Sequence, residues 1–383
     1  MTKWPHRPGF SAWEHFGLGI LGFAIALVSV AIVERSGMLD RFEFLHQDVL
    51  FLSHGHRVAD RIAVVLITDD DYKELFSSTS PLRPAEVRDV IGAAARSGAK
   101  VIAIDLDTSS WTSSERRAAF SASRGPGFTA RLVWARTGSF NDANGLFRPD
   151  SLEGLGEAEC SGVPAVVSDS SHVIRWYRLF AHQETTHAIL PGMAIVIDWL
   201  DRNKGAGCYP PDVADGDEYR FINFEGGGAS FFHVPARGLL GASRGTVWPI
   251  YNPLSKKIVL IGGAFSAARD KRETPGGMLD GVDILANSVI SVRERVLPID
   301  SWVTVLVDVL FDLTVLFITF FYPSWRIVLV SSLCFPIVLL ISSLVVYSAW
   351  GYFLGVVPVV CSLWLNRLIE PRVHRCLRVL RRR

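Results

Sequence analysis

The sequence predicts an α/β extracytoplasmic domain, with a mixed or mostly parallel sheet and flanking helices, held by four transmembrane α-helices. Three observations predict it. Uncharged apolar stretches are concentrated towards the two ends of the 383-residue chain. Between them, short β-branched runs alternate with segments of helical periodicity, the pattern of an alternating α/β domain. The basic residues flanking the apolar stretches all agree with one orientation in a bilayer. The composition fits this division. With 49% hydrophobic and 20% charged residues, the chain is far too apolar for disorder. A formal net charge of +1 excludes a chain dominated by nucleic-acid binding.

The first apolar segment is FGLGILGFAIALVSVAIV, between His15 and Glu34. It predicts a span near 16–34 after a short cytoplasmic N-terminus, 1–15. A secretory signal peptide is the competing reading, but no clear small-residue cleavage site follows. Val303 to Tyr322 is apolar apart from Asp308 and Asp312, and Ile327 to Asn366 carries no charge. That second stretch is about twice what one crossing needs. The break at Ser348 to Tyr352 divides it, giving spans near 302–322, 327–347 and 350–366. Buried core helices are the alternative, and the flanking tryptophan, tyrosine and arginine argue against it.

The tail 367–383 reads RLIEPRVHRCLRVLRRR, and arginine is costly to translocate. Counting back through four spans puts Arg326 and both termini inside, and 35–301 outside the cytoplasm. The expected location is therefore the plasma (inner) membrane, multi-pass. The tail either fixes topology alone or also binds anionic lipid through an interfacial helix.

In the outer segment, IAVVLIT (62–68) reads as a buried strand. Pro84 opens a helix whose apolar face holds Val87, Val90, Ile91 and Ala94, and Gly98 suits its end. VIAIDL (101–106) is a second buried strand, and strand–helix–strand predicts a parallel pair. RLVWA (131–135), PAVVS (164–168), HVIRWYRLF (172–180) and YRFINF (219–224) are further candidate strands. PGMAIVIDWL (191–200) reads as a helix. KKIVLIGG (256–263) is the clearest late strand. GVDILANSVISVRE (281–294) is a helix with Val282, Leu285, Ala286 and Val289 on one side, and Pro298 ends the domain.

Taken together, IAVVLITDDD, PLRPAEV, GAKVIAIDLD, VSDSSHVIRWYRL, RFINFEG and KKIVLIGGAFSAARDKRETPGGMLDGVDILANSVI resemble the CHASE domain, type two. This is the cyclase- and histidine-kinase-associated sensory extracellular domain of bacteria. One helix before the domain and three after it are also similar to the family, so the resemblance covers nearly the whole chain. It implies signal transduction rather than catalysis. In signalling members an output domain follows the third of those helices. Here only about 17 residues follow, fewer than the roughly 40 an independent domain needs. The expectation is an input half that works through a separate effector. The chain also departs from the family at Ser171-His172, where an aspartate-glycine pair is expected.

Candidate chemistry sits at strand ends. Asp69, Asp70 and Asp71 follow the first strand, Asp105 and Asp107 close the second, and Asp270 follows the late one. Parallel strands end on one side, where ligands of such sheets bind. These carboxylates would converge on a small ligand or on Mg²⁺ or Ca²⁺, which take oxygen ligands. The plain alternative is helix caps and turns. A periplasmic metal-dependent hydrolase using Asp69, Asp70, Asp105 and Asp107 is the enzyme alternative to a sensor, and a non-sensing scaffold is the third reading. There is no GxxxxGK[ST], GxSxG or HEXXH motif, and His54-Gly55-His56 is too short for a metal site. No cofactor beyond such an ion is expected.

Asp308 and Asp312 share one face of the second predicted span. A charged aspartate near mid-bilayer costs about 2.5–3.5 kcal/mol. Two readings stand, a coupling contact to a partner or second copy, or a protonated bundle-facing pair. Cys160 and Cys208 lie in the outer segment, where they either form a disulfide or stay as buried thiols.

Overall fold

In the computed structural model the chain divides into two compact units, Met1–Leu50 with Leu297–Arg383, and Phe51–Val296. The described residues are most of 36–294, except 54–57, 126–127, 142–144, 151–159, 204–206, 210–217, 225–229 and 244–251, together with Trp325–Trp350 and scattered positions towards both ends.

Helix α1, Asp40–Ser53, precedes the sheet. Strand β1 is Val58–Ile67, followed by helices α2, Asp69–Glu74, and α3, Pro84–Arg96. Then come β2, Val101–Asp105, helix α4, Ser113–Ala122, and strands β3, Arg131–Ala135, and β4, Cys160–Gly162. Four short strands follow: β5, Val166–Ser168, β6, Ile174–Arg178, β7, Phe180–His182, and β8, Ile189–Pro191. Helix α5 is Met193–Arg202, β9 is Tyr219–Phe221, β10 is Ser230–Pro235 and α6 is Ala236–Ser243. The unit closes with β11, Ile258–Gly263, the hairpin β12, Lys271–Thr274, and β13, Gly277–Asp280, and helix α7, Gly281–Arg293.

The main sheet has six strands in the order β10-β1-β11-β2-β3-β4, all parallel. Strands β1 and β2 are parallel, as the βαβ pattern predicts, but β11 lies between them. Side chains alternate across a strand, so each one serves two cores. Ala63, Val65 and Ile67 join Ile102, Ile104 and Ile261 against α3, α4 and α6. Ile62, Val64, Val101, Ala103 and Leu260 face α5 and α7 instead. A sheet covered on both faces accounts for the uninterrupted apolar runs of β1, β2 and β11.

Two strand assignments need correction. HVIRWYRLF is not one strand. It breaks at Leu179 into β6, which pairs with β5 and β9, and β7, which pairs with β8. The reason is local: the Leu179 N–H donates to the Glu218 carbonyl, while its own carbonyl accepts from Gly192. YRFINF is a strand only to Phe221. Beyond it Ile222 and Phe224 turn into the core, and the Asn223 N–H donates to the Ser291 hydroxyl.

In the other unit, helix α8, Trp325–Trp350, contains the predicted span 327–347. It runs through 348–350, so the break expected at Ser348 falls slightly later. Tyr352–Phe353 then pairs with Leu297–Pro298, which places Pro298 in this unit rather than at the end of the other. The described side chains of α8 begin at Cys334. Among the described residues no helix is long and apolar enough to cross a membrane. Most of the predicted spans 16–34, 302–322 and 350–366, with Asp308, Asp312 and the tail 367–383, lies outside the described residues.

Candidate ligand cavity

A cavity of about 220 Å³ opens at the carboxyl end of β2. Asp105 forms part of its lining from the end of β2. Continuing the alternation of Val101 and Ala103, Asp105 falls on the α5/α7 face of the sheet. Its register partner is Gly262. A Cβ on Gly262 would collide with Val282, so the missing side chain lets α7 lie close to β11. Helix α7 presents Gly281, Ile284, Leu285 and Ser288 to the cavity, one helical face. The segment 163–166, Tyr177, Arg178 and the start of α5 close the other side.

Asp270 is the second carboxylate of the cavity, ahead of the β12–β13 hairpin. It lies over the first turn of α7, where a Cβ on Gly281 would run into its carboxyl group. The Gly281 N–H donates to the Asp270 carbonyl at 3.0 Å. Arg272 stands 4.0 Å from Asp270 as a weak, mostly exposed counter-ion. Burial pushes Asp270 above the ordinary carboxyl range, against the pull of Arg272. Burial also raises Asp105, to about 7, and the negative charge of Asp270 adds to the effect. Two carboxyl groups facing one cavity, only one of them with a cation nearby, make each other's ionisation costlier.

The other sequence candidates do not join them. Asp69 accepts from the Ser266 N–H at 2.8 Å and the Ser266 hydroxyl at 2.9 Å, and the backbone hydrogen bond chiefly holds its carboxyl below the ordinary value. Asp70 pairs with Arg237 at 3.1 Å. Asp107 accepts from the Ser109 N–H at 2.9 Å, a turn contact. The strands do end on one side, but α2 works on the α6 face while Asp105 lies on the α5/α7 face. Among the described residues, no group of three or more histidine, cysteine, aspartate or glutamate residues is placed to hold a metal ion.

Asp71, not singled out from the rest of the triplet by sequence, is fully buried. It closes a capping box with Thr68 and also accepts from the N–H groups of Ala236 and Arg237, at 3.1 and 3.2 Å. It therefore joins the starts of α2 and α6, which is a structural role. Sequence reading also missed Tyr177, Arg178 and Arg272 in the cavity. Leu285 was visible as part of an apolar helix face, but nothing local marked that face as a cavity wall.

In the VSDSSHVIRW loop, Asp169 forms a buried pair with Arg175 at 2.6 Å and accepts from the Ser171 and Val173 N–H groups. Burial pushes its carboxyl up, but these hydrogen bonds win and hold it below the ordinary value. His172 has φ +66°, a left-handed conformation that suits the glycine expected there. Arg178, at the cavity edge, is paired with Glu218 and stacks over the Phe140 and Tyr219 rings. Cys160 of β4 and Cys208 are joined as a disulfide, with Cα atoms 5.0 Å apart.

The model of the CHASE2 domain family matches residues 24–321. No curated protein and no solved structure matches the chain.

Proposed function

Because the chain belongs to the CHASE2 domain family, whose members are sensory extracellular domains, we propose that it is a multi-pass membrane sensor acting through the cavity at Asp105. In this reading the unit Phe51–Val296 faces outwards, spans near 16–34, 302–322, 327–347 and 350–366 cross the membrane, and both termini are cytoplasmic. A small molecule enters the cavity and favours one arrangement of its walls. A separate cytoplasmic or membrane effector reads the change, and Asp308 and Asp312 form the contact that passes it on, within the bundle or to a second copy.

One observation carries the proposal. Helix α7 forms a cavity wall through Ile284, Leu285 and Ser288, and it ends at Arg293, shortly before the predicted span that begins at 302. A ligand that binds better to one position of α7 shifts the chain entering the membrane by its differential affinity. Arg293 adds a second hold on this helix, pairing with Asp198 and Asp201 of α5.

The test uses Leu285→Trp, which fills the cavity as a bound ligand would. The full chain is expressed in its own membranes with a photo-crosslinker in the 367–383 tail. A changed set of captured partners, or a changed yield, supports sensing through α7. An identical pattern with a correctly folded variant refutes it.

A further inference from the structure

The cavity at Asp105 has a charge pattern that selects among ligands. Four charged side chains line it: Asp105, Asp270, Arg178 and Arg272. Arg178 is already taken by Glu218. Arg272 is the nearest counter-ion of Asp270. Asp105 is left with no ion pair or hydrogen bond among the described residues, and it is only partly exposed, in the cavity wall. An uncompensated carboxylate in such a place is costly, and a ligand that supplies a positive charge and N–H donors removes the cost.

The remaining wall decides what kind of cation fits. Val163, Tyr177, Met193, Ile284 and Leu285 are apolar or mainly so and buried. Mg²⁺ and Ca²⁺ need six or more oxygen ligands, and this wall offers few. Ser288 donates its hydroxyl proton to the Ile284 carbonyl at 2.8 Å, so its oxygen can still accept. Groups of the chain itself already engage both helix starts. Asp270 covers that of α7, and at α5 the Met193 N–H donates to the Val163 carbonyl while that of Ile195 turns back to Gly192. We propose that the cavity takes a small organic monocation, a primary amine with a compact apolar body, whose ammonium group meets Asp105 and the Ser288 oxygen while its carbon chain lies against Ile284 and Leu285. This rests on the reading of the cavity as the sensory site and names its ligand class.

The experiment titrates the full chain in lipid nanodiscs with n-butylamine, n-butanol, butyrate and Mg²⁺, against empty nanodiscs. Calorimetry or ligand-observed NMR reads binding to the wild type, Asp105→Asn and Leu285→Trp. The expected result is saturable n-butylamine binding to the wild type, at least about tenfold tighter than n-butanol or butyrate, as the loss of a charged hydrogen bond predicts. Asp105→Asn should weaken it by a similar factor, and Leu285→Trp should abolish it. The preference of the wild type for amine over alcohol decides the class even if a variant fails to fold. Tighter or equal binding of butyrate, n-butanol or Mg²⁺, lost in Leu285→Trp, overturns the ligand class and leaves the cavity as the sensory site. Binding of no probe, or binding that Leu285→Trp does not change, overturns both.

Discussion

Asp105→Asn should stabilise the protein at neutral and higher pH. Asp105 titrates near 7 in the folded chain against an ordinary 3.8, mainly through burial and then through Asp270. Between these values the folded chain keeps a proton that the unfolded chain releases. Stability contributed by this site is therefore intact at about pH 4, falls as pH rises towards about 7, and then levels off. The full difference is worth roughly 4 kcal/mol. Water entering the cavity softens the charge, so a gain of about 1–3 kcal/mol is the expected effect at pH 8. Asparagine keeps the shape and removes the ionisation. The assay is hydrogen exchange of the β2 and β11 amides in the full chain, where the slowest amides report unfolding of the unit. The variant should match the wild type at pH 4 and exceed it at pH 8. A variant that is less stable at pH 8, or equally shifted at both pH values, would refute the reasoning.

Other perturbations have equally definite outcomes. Asp71→Ala removes the acceptor shared by the starts of α2 and α6 and should cost about 2–4 kcal/mol in denaturant melts. Cys208→Ser opens a disulfide spanning 48 residues and should lower stability by about 4 kcal/mol on the loop-entropy relation, an effect that reductant added to the wild type should reproduce. His172→Gly relieves a left-handed backbone position and should raise the melting temperature slightly, by about 1 kcal/mol of stability. Gly281→Ala forces Asp270 off the first turn of α7. It should destabilise the unit by about 1–3 kcal/mol and weaken ligand binding more than a substitution at the exposed Met278 of the hairpin.

What could be read from the sequence depended on whether its cause was local. Strands β1, β2 and β11 announce themselves because a sheet covered on both faces needs unbroken apolar runs. Helices α3 and α7 show their buried faces by spacing alone. Helix α4 was not visible, since only Arg116 and Ala119 of its ten residues are buried. Strand β10 buries only Phe231 and Val234, which breaks the strict alternation of a half-buried strand. The insertion of β11 between β1 and β2 depends on long-range pairing, which no local pattern encodes. The site was half legible for the same reason. Asp105 and Asp270 follow strands and could be nominated from position. That Asp69 and Asp70 turn to other partners depends on Ser266 and Arg237, 197 and 167 residues away in sequence.

The most direct measurement is the sidedness of the unit Phe51–Val296. Lys256→Cys, in a chain whose Cys334, Cys361 and Cys376 are changed to serine, places a reactive thiol at an exposed position of this unit. A membrane-impermeant maleimide applied to the outer face of the intact plasma membrane should label it fully. Labelling only after the membrane is broken would place the unit in the cytoplasm and contradict the sensor account.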